Sequence, residues 1–266
     1  MLSKKVLSII GSFIAATTLI FVSLTGVSSV AGQITYRLDW RWGQALPAEQ
    51  GWMVTNDLGY QVHLKQGYLV TYSTELIECP SNAAQTSWHL DQIGPQPAYA
   101  GHGADPSEAR ITASVVEDLA HPLASTIETV AVTASSYCQG HYVIGPAGVE
   151  TTRNLPQQID LIGTSLFIQG DYQDPETAAI TPFTIQTKLP GGVIADLTSV
   201  EAINEPVQVL TGSVPIEVTL RRDLGSLFDG VDFGQMSEQE QARGVLRSLT
   251  GSTSLLITQG DLQPHP

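Results

Sequence analysis

The sequence predicts an all-β fold: an antiparallel β-sandwich, Ig-like or a related barrel, with one short amphipathic helix near the C-terminus. Three observations carry this expectation. Apolar and polar residues alternate in several stretches, clusters of Gly, Pro, Asn and Asp punctuate them, and a helical periodicity is clear once, late in the chain.

The first strand is the plainest. In "QITYRLDWRW", Ile34, Tyr36, Leu38, Trp40 and Trp42 share one face, while Arg37, Asp39 and Arg41 share the other. That is the pattern of a half-buried strand, with both tryptophans assigned to the core. Next, "GYQVHLKQGYLVTYSTELIEC" sets Tyr60, Val62 and Leu64 opposite Gln61, His63 and Lys65. Gly67 interrupts the run and predicts a bulge or turn into a second strand from Leu69 to Ile77. Further strands are expected at Glu128–Thr133, Tyr137–Ile144, Gln158–Ile168, Pro182–Lys188, Pro206–Leu210, Val214–Leu220 and Ser254–Thr258.

The helix is expected in "SEQEQARGVLRSL". Ser237 followed by Glu240 makes a capping box, and Ala242, Val245, Leu246 and Leu249 fall on one face. Gly244 weakens the helix slightly. No repeat or linker divides the chain between Gly32 and Pro266, so a single domain is expected there.

Residues 1–31 have the layout of a secretory signal. Lys4 and Lys5 precede the apolar run "VLSIIGSFIAATTLIFVSL", and "SVA" marks cleavage after Ala31. The run approaches the roughly 20 residues that span a bilayer, so a retained N-terminal anchor is the alternative. Either way the remainder is expected to be exported, periplasmic or extracellular, with membrane contact only where the segment is retained. The net charge of −14 argues against nucleic acid and anionic lipid as partners.

Two cysteines, Cys79 and Cys138, fall in the exported part, and in an oxidising compartment they most simply form one disulfide. Between them runs a long segment, 80–110, rich in proline and small polar residues. Such loops in compact domains are usually functional or disordered. It carries Trp88, His89 and His102; His121 follows, and His141 lies three residues after Cys138 in "YCQGHYVIGPA". By alternation Tyr137, Gln139, His141 and Val143 point one way, and Cys138, Tyr142 and Ile144 the other. Cys138 is then turned inward to its disulfide and His141 is left available.

His102 and His141, with His89 and His121, would suit a zinc or copper ion, and Asp105 or Glu108 could complete the ligands. There is no HExxH and no paired CxxC, so loop histidines without a ligand are the plainer reading of the same residues. Calcium is a second candidate, at Asp171, Asp174 and Glu176 or at Asp229 and Asp232. Acidic residues at turns are more often turn formers. Neither a G-x-S-x-G elbow nor a P-loop nor a G-x-G-x-x-G fingerprint occurs, so the chain is expected to be non-catalytic.

The function expected is therefore a secreted or periplasmic β-sandwich that binds a transition metal, zinc or copper. The alternative is an extracellular module, without metal, whose long loop and Trp88 contact a cell-envelope protein or a glycan.

Overall fold

The computed structural model describes residues 32–79, 107–133, 135–149, 151, 160–197, 207–209 and 215–259. The expected leader at 1–31, and His89, Trp88, His102 and Asp105, lie outside the described residues. The described chain is an all-β sandwich with one helix near the C-terminus, as the alternation predicted.

Strand β1 (Gly32–Arg41) buries Ile34, Tyr36, Leu38 and Trp40. It ends at Arg41, so Trp42 departs from the expected core row and is 38 % exposed. After β2 (Leu46–Pro47) and β3 (Trp52–Thr55) comes β4 (Gln61–Glu78), one strand of 18 residues. Gly67 does not divide it. A Cβ there would come within 3.0 Å of the Leu119 Cβ, so the glycine serves close packing, not a turn. The register slips instead around Lys65 and Tyr72.

The chain continues through β5 (Val115–Asp118), β6 (Ser125–Val132), β7 (Ser135–Ile144) and β8 (Leu166–Gln173). The strand expected at Gln158–Ile168 thus begins later and runs on through the glycine and aspartate that looked like a turn. Leu161, part of the apolar run that suggested the earlier start, packs with Val70, Val116 and Ala147 in a small second core. Then follow β9 (Ile180–Thr187), β10 (Gly191–Asp196), β11 (Val207–Val209), β12 (Ile216–Asp223), α1 (Glu238–Ser252) and β13 (Ser254–Gln259).

One sheet has the order β13-β12-β1-β6, and β1 runs parallel to β12. The other follows β10-β7-β4-β3-β2, with β11 on β7, β5 and β8 on β4, and β9 on β8. Its pairs are antiparallel. Leu38, Val218 and Leu220 from the first sheet meet Leu64, Leu69, Leu76 and Tyr142 from the second in one core. Tyr36 donates across the gap to the Ala109 carbonyl, and burial pushes its phenol far above the usual range.

β12 extends the inward row one step further than its apolar residues. After Ile216, Val218 and Leu220 the next inward position is Arg222, which is fully buried. Its Nη1 donates to both Glu117 carboxylate oxygens at 2.6 Å, and its Nη2 to Thr71 Oγ1 at 2.8 Å. Trp40 Nε1 adds a bond to Glu117 at 3.1 Å, and the guanidinium lies 5.4 Å from the Trp40 ring centroid. The two sheets are thus joined by a dry charged cluster as well as by apolar contact.

α1 packs on β9, β10 and β12 with Ala242, Val245, Leu246 and Leu249 buried, the face the periodicity predicted. Gly244 sits against Val231, whose Cγ2 would lie 2.9 Å from an added Cβ; close approach explains a residue that costs helix stability. The Glu240 carboxylate accepts from the Ser237 N–H at 2.8 Å, completing the expected capping box.

Candidate functional site

The candidate site lies where β4 pairs with β7. The antiparallel register sets Glu75 directly opposite His141, with Ile194 of β10 on the other side. Facing residues on neighbouring strands stand about 4.5–5.5 Å apart at Cβ, within reach of a direct bond. Glu75 Oε1 and His141 Nδ1 are 3.0 Å apart. Both side chains are mostly covered, 18 % and 22 % exposed respectively.

A carboxylate accepts, so this contact places the proton of neutral His141 on Nδ1 and leaves the Nε2 lone pair available. Nε2 makes no hydrogen bond among the described residues. His141 borders a shallow cleft of about 390 Å³ lined by Val143, Pro190, Gly192, Val193 and Ile194. Gly192 is needed there: a Cβ would meet the Tyr142 carbonyl oxygen at 2.6 Å and push β10 away.

The disulfide joins Cys79 to Cys138, as expected, with the Cα atoms 4.9 Å apart. The facing inferred for Cys138 needs correction. Glu78 pairs with Tyr137 and Ile77 with Gln139, which leaves Cys138 as the extra residue of a bulge. Cys138 is therefore half-buried in the bulge, outside the inward row. Tyr137, which simple alternation put beside His141, is buried instead, and burial pushes its phenol up to about 12.

Both ends of segment 80–106 are held close to this pair. At one end Cys79 is tied to Cys138, and its N–H donates to the Ser136 carbonyl at 2.8 Å. At the other, the Ser107 hydroxyl donates to the Leu76 carbonyl at 3.1 Å, and the Arg110 backbone forms an isolated β-bridge with that of Glu75. The chain that carries His89 and His102 thus leaves and returns within a few residues of Glu75.

His121 is elsewhere. It follows β5 and is largely exposed, with Nδ1 3.1 Å from Asp118 Oδ2, while Asp118 Oδ1 accepts its N–H at 3.2 Å. The neighbouring Leu119 is bonded to Gly67, eight residues before Glu75 on β4. At about 3.3 Å per residue that is on the order of 25 Å along the strand, so His121 does not join His141.

Glu108, the other suggested ligand, instead accepts from the Thr133 N–H and hydroxyl at 3.1 and 2.9 Å, which holds its carboxyl below the usual range. Among the described residues no three His, Cys, Asp or Glu side chains come together as a metal-holding group; Glu75 and His141 are a pair.

The acidic residues weighed for calcium are spent on turns and strand pairs. Asp174 accepts the N–H groups of Glu176 and Thr177, each at 2.8 Å, which pulls its carboxyl below the usual range. Asp232 accepts from Gly234, Gln235 and the Tyr60 hydroxyl, and Asp171 is ion-paired with Lys65. The residue that sequence reading missed is Glu75. Only the β4–β7 register identifies it, since Glu75 and His141 are 66 residues apart.

No family model matches the chain, and no curated protein matches it. Among solved structures, MbnP from Methylosinus trichosporium is similar at 10 % identity and a TM-score of 0.30, with 85 % of this chain and 98 % of that chain covered. A likeness of that size carries no argument about the site. Among the described residues no helix is long and apolar enough to cross a membrane.

Proposed function

We propose that the chain is an exported, non-catalytic β-sandwich protein that holds a zinc or copper ion through Nε2 of His141. The observation that carries this reading is the Glu75–His141 contact. A ligating histidine typically gives its other ring N–H to a carboxylate, which fixes the tautomer and raises the basicity of the free nitrogen. The bare pair is too few ligands for either metal. His102 and His89 supply the remaining donors in this reading, because the segment that bears them is anchored beside Glu75 by the disulfide and by Ser107. The disulfide also suits an oxidising compartment.

The test is metal content of the oxidised protein after exposure to zinc, then to copper, with excess removed by desalting. One zinc equivalent retained by the wild type and lost in His141→Ala and His102→Ala supports the site. Retention of neither metal, or retention untouched by His141→Ala, overturns it.

A further inference from the structure

The first half of β4 carries a second oriented imidazole, well away from His141. His63 Nε2 lies 2.7 Å from the Gln50 carbonyl oxygen. A carbonyl can only accept, so Nε2 bears the proton and Nδ1 keeps its lone pair. The register places Met53 of β3 directly across from His63 on one side and Asp171 of β8 directly across on the other. A thioether, an imidazole and a carboxylate therefore stand in one row over three strands, with neighbouring Cβ atoms about 5 Å apart.

All three line an open cleft of about 410 Å³, together with Thr55, Gln61 and Ile180. Met53 is 46 % exposed although it belongs to a strand whose other apolar residues, Trp52 and Val54, are buried. Asp171 is already ion-paired with Lys65, which blunts the charge that would favour a hard divalent cation. What the row offers is a soft sulfur and an imidazole nitrogen, donors that suit cuprous copper better than calcium or magnesium.

We propose that Met53 and His63 form a binding site for one cuprous ion. His63 and Glu75 are twelve positions apart on β4, on the order of 40 Å of extended strand at about 3.3 Å per residue. This site is separate from the one at His141.

The experiment is an anaerobic titration of the full chain with Cu(I) against a chromophoric Cu(I) chelator, followed by X-ray absorption at the copper edge. Both described cysteines are held in the disulfide, so a sulfur scatterer on copper reports a methionine. The expected result is one equivalent with a sulfur neighbour. Met53→Leu should weaken binding at least ~10-fold and remove the sulfur signal, in keeping with loss of a ligand. His63→Gln should abolish this equivalent, while His141→Ala leaves it intact. Met53 is exposed, so its leucine variant keeps the fold, and matching thermal unfolding confirms that. A sulfur-free copper environment in the wild type overturns the proposal, as does unchanged affinity in Met53→Leu. If His141→Ala alone removes sulfur-ligated copper, this site is wrong and the other stands.

Discussion

Two pairs, each joining a carboxylate to a nitrogen base, sit on the same pair of sheets and do opposite work. Arg222 and Glu117 meet between the sheets, 0 % and 4 % exposed at the side chain, and Thr71 and Trp40 bond to the pair. His141 and Glu75 meet within one sheet, about a fifth exposed, with one ring nitrogen left open. The dry pair is committed to its own partners, so its removal is felt as stability. The half-wet pair retains donor capacity toward a ligand, so its removal should be felt as binding. The contrast shows that exposure, more than the kinds of residue, separates a structural pair from a candidate site.

The largest expected effect breaks the dry pair. Glu117→Gln leaves the Arg222 charge buried without its counterion, a change that costs about 3–5 kcal/mol in comparable settings. Urea unfolding measures it. Removing both charges, as Arg222→Met with Glu117→Leu, should recover most of that loss, because an apolar replacement needs no desolvation. A loss under about 1 kcal/mol for the single variant would show that the pair does not join the sheets.

Next comes the tie that borders the half-wet pair. Replacing Cys79 and Cys138 with serine opens a loop with a sequence separation of 59. Chain entropy alone gives about 4 kcal/mol of lost stability. The same variant should weaken zinc binding, because segment 80–106 loses its anchor beside Ser136. Unaltered zinc affinity in the unbridged protein would detach the disulfide from the site.

Within the half-wet pair the stability effect should be small and the binding effect large. Glu75→Gln keeps a group that can accept from His141 Nδ1 but removes its charge. Zinc affinity should fall by about 10–100-fold, the usual penalty for losing the outer partner of a ligating histidine. Unfolding free energy should change by about 1 kcal/mol or less. The reverse pattern, unchanged affinity and large destabilisation, would place Glu75 in the same class as Glu117.

The contrast also explains what the sequence could disclose. β1 and α1 were legible because each alternates or cycles cleanly with one face in water. β10 was not: it opens with two glycines, of which Gly192 is kept for close approach to β7, and glycine reads as a turn. β3 and β5 are four residues each, too short for a period to emerge. Arg222 had a signal that could have been followed, since it occupies the inward position after Ile216, Val218 and Leu220; two adjacent arginines disguised it as a strand end. The disulfide followed from counting cysteines. Glu75 and Asp171 meet their histidines only through register between strands distant in sequence, and the bulge at Cys138 reversed the facing of Tyr137. No local pattern encodes those.

The smallest effect tests the fully wet extreme of the comparison, the capping box of α1. The Ser237 hydroxyl and N–H both donate to Glu240, at 2.7 and 2.8 Å, and hold its carboxyl below the usual glutamate range. A depressed carboxyl stabilises the fold above its unfolded value, and that contribution is lost as pH falls through the lower, folded value. Ser237→Ala removes the hydroxyl bond, and should lower Tm by roughly 2–4 °C at neutral pH, the shift a lost cap gives in a chain of this size. As pH drops below the usual glutamate range the gap between wild type and variant should close, because the protonated carboxyl no longer gains from that bond. A gap that persists in acid would mean that Ser237 acts through helix geometry and not through Glu240. Solvent screens this pair, so its effect stays small, while the larger stability stays with the dry pair between the sheets.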